Sequence, residues 1–242
     1  MKTNLYNKIS TKVGKGVKIK KALCFYNPEQ VYKGLQKNPD IKKWHNFITN
    51  KYSPPKKEVL LIYPCSTVKP YNESRSYKLL YHSLDKLNGQ RDKIQVMTIS
   101  EPFGLVPEEY YSKFVWYDCP GLFEWWCNKH GQQYDKEYLD KSITILADKI
   151  GKFLKKSIKR KKYKKILAFV RTYSSSLGSK DDHTHRRMLE EAARKYDLDI
   201  EIFPTKSQIK KLIKKHGSFA WDMYGVAHPE MQKQLLKKLQ KI

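Results

Sequence analysis

Apolar positions along this chain gather into short continuous runs, and longer stretches with the period of a helix separate them. Val59-Leu60-Leu61-Ile62-Tyr63, Ile94 to Ile99, Phe114 to Tyr117, Ile166 to Val170 and Ile200 to Phe203 each read as a buried strand. A helical pattern begins near Ser74, gathers Leu79, Leu80, Leu84 and Leu87 on one side, and stops at Asn88-Gly89. A long amphipathic helix from about Lys136 to Ile158 presents Leu139, Ile143, Leu146, Ile150 and Leu154. Another helix spans about Asp182 to Tyr196. Strands alternating with helices predict an α/β fold, a Rossmann-like and mainly parallel sheet with helices on both faces, because parallel strands need crossovers and these are usually helical.

The flanks read differently. Ala22 to Tyr26 predicts a short strand, Pro28-Glu29 and Pro39-Asp40 open two helices, and the second gathers Ile41, Trp44, Phe47 and Ile48 on one face as core. Ser53-Pro54-Pro55-Lys56-Lys57 then breaks the pattern. At the other end Thr205 and Gln208 predict a capping box, and a helix from about Pro229 sets Lys233, Lys237, Lys238 and Lys241 opposite Met231, Leu235 and Leu239. The expected division is a basic N-terminal arm with helices over 1–57, an α/β catalytic core over 58–204, and a basic helical extension over 205–242.

Charge sharpens this picture. The 242 residues carry a formal net charge of +25, which points to a polyanionic partner, against a plainer reading as a solvated, lysine-rich surface. Residues 1–21 hold seven lysines and no acid. No stretch approaches the roughly 20 apolar residues that span a bilayer, and the N-terminus has no apolar signal region, so a soluble cytoplasmic protein is expected. Cys24, Cys65, Cys119 and Cys127 form no CxxC pair, and His183 and His185, two apart on a helix, diverge; no metal site is expected. Neither GxGxxG nor GxxxxGK[ST] occurs, and no cofactor is expected.

Chemistry concentrates after the first strand. Cys65 follows Pro64 at a strand end, where ligands bind in open α/β sheets. From residue type alone it reads equally as a buried small hydrophobe or as a thiolate near Lys69. Lys69 suits an anionic ligand, and Tyr71 suits a base edge or the core. Ser74 and Ser76 stand at the helix start, where capping explains at least one of them. Glu101, Glu109 and Asp118 lie near the next two expected strand ends, where carboxylates bind an amine or act as general bases.

Pro64-Cys65, Lys69-Pro70-Tyr71 and Ser74 together resemble the motif of the archaeosine synthase core, the tRNA-modifying lysine transferase related to archaeal tRNA-guanine transglycosylases. Ser100 to Glu109 and Tyr117-Asp118-Cys119-Pro120 resemble that family's next two segments, in the same order. The resemblance implies addition of the amine of free lysine to the nitrile of 7-cyano-7-deazaguanine in tRNA, with a separate radical enzyme or an RNA-binding subunit as partner. It gives Cys65 the nucleophilic role, Lys69 and Tyr71 the positioning of the base or its phosphate, and Asp118 or Glu109 the incoming amine. The chain departs from the family where it has Tyr77 instead of histidine, and it lacks the transglycosylase-like and PUA regions of full-length members. The alternatives are a noncatalytic RNA-binding subunit, or a related enzyme using another amine or DNA.

Overall fold

Five strands form one sheet in the order β3-β2-β1-β4-β5: β1 Val59–Pro64, β2 Ile94–Ser100, β3 Gly104–Pro107, β4 Lys165–Phe169 and β5 Glu201–Phe203. The structure, a computed structural model, describes residues 19–176 and 183–241. The expected arm therefore lies, through Lys18, outside the described residues, as does Asp182. β1, β2, β4 and β5 are parallel, and β3 runs antiparallel to β2. The α/β expectation is borne out, with a mixed sheet. In β1 every residue from Val59 to Tyr63 is buried regardless of which way it points, so both faces must be covered.

The cover comes from helices that start where their sequences set caps. α1 (Pro28–Lys37) and α2 (Pro39–Asn46) each open on proline behind a capping asparagine, Asn27 or Asn38. α3 (Arg75–Asp85) is capped by Ser74, and it packs with α9 (Pro229–Leu239). The Tyr63 hydroxyl ties both helices to β1, pairing with Ser76 Oγ at 2.9 Å and accepting from Gln232 Nε2 at 3.2 Å. α4 (Glu124–Lys129) precedes the long α5 (Lys136–Lys159), which packs on α1 and on α6 (Thr184–Tyr196). Gly151 permits the α5–α6 contact, since a Cβ there would lie 2.0 Å from the Tyr196 ring. α7 (Lys206–His216) carries the reciprocal Thr205–Gln208 capping box, and α8 (Ser218–Tyr224) follows it.

Two expected strands are corrected. Phe114 to Tyr117 is buried except at Trp116, as its apolar character requires, but it lies outside the sheet. Ala22 to Tyr26 is largely a single turn, Lys21–Leu23, followed by an isolated bridge from Cys24 to Asp118. The third strand is instead Gly104–Pro107, which folds back along β2 after Glu101-Pro102-Phe103. That reversal carries the chain away from the carboxyl edge of the sheet.

Candidate active site

The chain leaves β1 through α3 towards β2, and leaves β4 through α6 towards β5. Because β1 and β4 are neighbours, their following loops diverge, and such a divergence opens a crevice at the carboxyl ends of the strands. Cys65 stands there directly after β1, anchored by its N–H donating to Ile99 O at 3.0 Å. His185, in the first turn of α6, brings Nε2 to 3.9 Å from Cys65 Sγ. Glu101, directly after β2, accepts from the same Nε2 at 3.1 Å through Oε2, and from Thr184 Oγ1 at 2.7 Å through Oε1. The start of α6 also favours an anion at Glu101 through the helix dipole.

His185 and Glu101 are both 2% exposed. Burial works against a charge on His185, but the Glu101 carboxylate and the Cys65 sulfur outweigh it and raise the imidazole to about 10. Burial likewise raises Glu101, and the charge and hydrogen bond of His185 with the Thr184 hydroxyl outweigh it, bringing the carboxyl down to about 2. At neutral pH the pair is an imidazolium and a carboxylate. Both contacts use Nε2, and Nδ1 has no hydrogen-bond partner among the described residues. His185 is thus a charged donor facing Cys65, and not a relay across its ring from a carboxylate to the thiol.

His183 was expected to diverge from His185, yet their ring centroids are 5.0 Å apart. The reason is local: His183 is the N-cap residue, with extended backbone, so helical period does not apply to it. Burial and the neighbouring His185 charge press it down to about 3, leaving it neutral.

Lys69 is 4% exposed, with Nζ 3.4 Å from Ser66 O and 4.4 Å from the Tyr117 ring centroid. Burial lowers its pKa, opposed by the nearby Cys65, Asp118 and Cys119. Asp118 is itself buried, and its charge acts on Cys119, whose thiol burial pushes well up. Cys65, Lys69, Glu101 and Asp118 therefore share one neighbourhood. Tyr71 is wholly buried and bonds through its hydroxyl to Tyr117, whose hydroxyl also meets Ser100 Oγ at 2.5 Å. Ser74 is occupied as the cap of α3, accepting from the Tyr77 N–H at 3.3 Å, and Ser76 is occupied with Tyr63.

Glu109 is not brought to the thiol. It is exposed, accepts from the Tyr52 hydroxyl at 2.5 Å, and lies beside Gln95 near the amino end of β2, because antiparallel β3 carries it back along the sheet. Tyr77 is wholly buried, with its hydroxyl on Thr98 Oγ1, and does not face the site as an acid or base. The imidazole beside the thiol is instead His185. The sequence offered it only beside His183, since its place at the thiol depends on β4 adjoining β1.

Cys65 Sγ, a Glu101 oxygen and His185 Nε2 lie within 4.8 Å of one another, a mixed sulfur, oxygen and nitrogen set of the kind zinc accepts. A cation there would have to take over the Nε2 that now donates to Glu101. Two cavities, of about 450 and 410 Å³, lie elsewhere, and neither is lined by Cys65.

Residues 41–144 match a family model described as "Domain of unknown function (DUF5591)". Archaeosine synthase subunit alpha of Thermococcus kodakarensis is 37% identical over 76 residues, 31% of this chain and 13% of that protein. The protein of the same name from Thermoplasma acidophilum is 29% identical over 136 residues, 54% of this chain and 22% of its own length. The matched stretches thus span less than a quarter of these relatives. A solved structure described as a protein of unknown function is similar over 71% of this chain and 48% of its own, at 17% identity and a TM-score of 0.41. The chain therefore resembles archaeosine synthase subunit alpha in part of its length, and its DUF5591-matching residues hold Cys65, Lys69, Glu101 and Asp118 while His185 lies beyond them.

Proposed function

We propose that this chain catalyses addition of an amine, from free lysine, to the nitrile carbon of 7-cyano-7-deazaguanine in tRNA, a step of archaeosine biosynthesis. The observation that carries the reading is a half-buried thiol 3.9 Å from a buried imidazolium, in a segment resembling archaeosine synthase. A nitrile needs a nucleophile at carbon and a proton at nitrogen, and this pair supplies both.

Cys65 reacts as the thiolate, held by the facing imidazolium. As the sulfur–carbon bond forms, the Nε2 proton of His185 moves to the nitrile nitrogen, giving a thioimide and a neutral imidazole. The lysine amine adds to the same carbon, His185 takes the proton that the amine gives up, and the carbon–sulfur bond breaks to return the thiolate. Nitrile and amine become an amidine with no change of oxidation state. Glu101, itself held by the Thr184 hydroxyl, fixes His185 and keeps it charged. Asp118 holds the incoming amine, Lys69 positions the base or its phosphate, and Tyr71 acts by fixing Tyr117. The amidine then passes to a separate radical enzyme.

The test is transfer of labelled lysine to tRNA bearing the nitrile base, with ammonia, glutamine and nitrile-bearing DNA as further arms. Transfer from lysine to tRNA supports the reading. Binding of tRNA without transfer from any donor contradicts it and leaves a noncatalytic RNA-binding subunit.

A further inference from the structure

A cleft of about 450 Å³ opens between α2 and the segment that follows β3, away from Cys65. Its lining is aromatic, and part of that is plain core: Phe114 packs edge to face on Trp44 at 4.4 Å and on Phe103 at 4.7 Å. Trp116 is different. It is 41% exposed on the cleft wall and has no aromatic ring partner among the described residues. Cations stand over this floor, Lys20 Nζ 5.2 Å from the Trp116 ring and Lys113 Nζ 4.9 Å from the Tyr110 ring. The acid in the lining, Asp40, is paired with Lys20 at 3.1 Å. Lys43 and Lys113 carry no ion pair among the described residues. Tyr117 lines the cleft and also lies under Lys69, so one ring touches both the cleft and the thiol's neighbourhood.

We infer that this cleft holds an unstacked nucleobase of single-stranded nucleic acid, with Trp116 as the stacking surface and Lys43 and Lys113 on the flanking phosphates. An exposed indole beside unpaired ammonium groups has the two parts that single-strand sites combine, a π face and a basic track. A purely apolar segment seated there would bury those ammonium groups without partners. The volume falls within the range of ordinary ligand sites. The chain's charge of +25 suits a polyanion. The inference rests on the nucleic-acid part of the proposed function and not on its chemistry.

The full chain is titrated with a labelled oligouridylate and with a duplex of equal length, by fluorescence anisotropy over a range of salt. Trp116→Ala is expected to weaken single-strand binding about tenfold, in the range for loss of one base–aromatic stack, with the salt slope unchanged and Trp116→Phe restoring most of the affinity. Lys43→Gln with Lys113→Gln is expected to reduce the log–log salt slope by about 1.4, at roughly 0.7 per phosphate on single strands, which keeps the proposal testable should Trp116→Ala misfold. Unchanged affinity in Trp116→Ala, or an equal loss on duplex, overturns the inference, as does an unchanged salt slope in the lysine double variant. If no substrate accepts lysine while Trp116→Ala still loses tenfold, the cleft stands and the enzymatic reading falls.

Discussion

Glu101→Gln removes one charge from the buried pair and leaves its shape. Glutamine keeps one of the two acceptor oxygens, for either Thr184 or His185, sets a donating amide NH2 in place of the other, and no longer opposes the effect of burial on the imidazole. Only the Cys65 sulfur then opposes burial, so the imidazole drops from about 10 back towards its ordinary 6.5. The rise from 6.5 to about 10 in the wild type corresponds to an upper limit of about 5 kcal/mol at ~1.36 kcal/mol for each factor of ten. Direct disruption of buried ion pairs costs about 3–5 kcal/mol, and since His185 escapes by losing its proton, about 3 kcal/mol is expected near pH 6. The pH dependence has a definite sign. His185 is raised on folding, so its contribution is complete below about 6.5 and is lost as pH climbs to about 10. Glu101 is lowered on folding, so its contribution is complete above 4.5 and is lost as pH falls towards 2. Urea unfolding of wild type and Glu101→Gln at pH 5.5, 7, 8.5 and 9.5 should show a difference that shrinks steadily above 6.5. His183, held down first by burial in either protein, adds nothing to the difference above pH 6.5. A stability difference that stays constant from pH 6.5 to 10 would refute the charged pair.

Tyr77→Phe should lose about 1 kcal/mol with the hydrogen bond to Thr98 and keep its transfer rate within about twofold, a barrier change of about 0.4 kcal/mol. Tyr77→His should not raise the rate, and loss of transfer in a folded Tyr77→Phe would show that His185 is not the acid. Gly151→Ala gains up to about 1 kcal/mol of helix propensity, but its Cβ meets the Tyr196 ring, which Asp148 holds by a hydrogen bond at 2.6 Å. Overpacking of about 1–3 kcal/mol should win, lowering the thermal midpoint; a higher midpoint would contradict that packing. Zinc ions should inhibit transfer by taking the Cys65, Glu101 and His185 atoms, and a chelator should leave the purified protein active. Activation by zinc would reverse this reading of the site.

The apolar pattern located β1, β2, β4 and β5, the first three of them largely buried and β5, at the sheet edge, with Glu201 and Ile202 only half-buried. The same pattern misread Phe114 to Tyr117, since a run packed against Trp44 and Phe103 looks identical to a buried strand in sequence. The direction of β3 was hidden for a related reason: Gly104–Pro107 is four residues long, and nothing in it states which way it runs. Glu109 was misplaced as a direct consequence. Cys65 and Lys69 were legible from residue type and position after β1, whereas Asp118 was reached through an expected strand end at Tyr117 that lies outside the sheet. Glu101 was expected to bind substrate, whereas the structure sets it against His185. His185 was hidden because its role depends on β4 lying beside β1, a pairing between residues more than 100 positions apart. Helical spacing actively misled at His183, where the cap departs from the helix.

In the proposed mechanism Cys65 attacks the nitrile carbon with His185 as the proton donor. Acid-quenched mass spectrometry of the protein with tRNA bearing 7-cyano-7-deazaguanine, in the absence of lysine, tests it directly. An adduct is expected on the peptide containing Cys65 that retains every atom of the nitrile base, absent in Cys65→Ala and strongly reduced in His185→Asn. Full transfer of lysine by Cys65→Ala, with no adduct in the wild type, would contradict it.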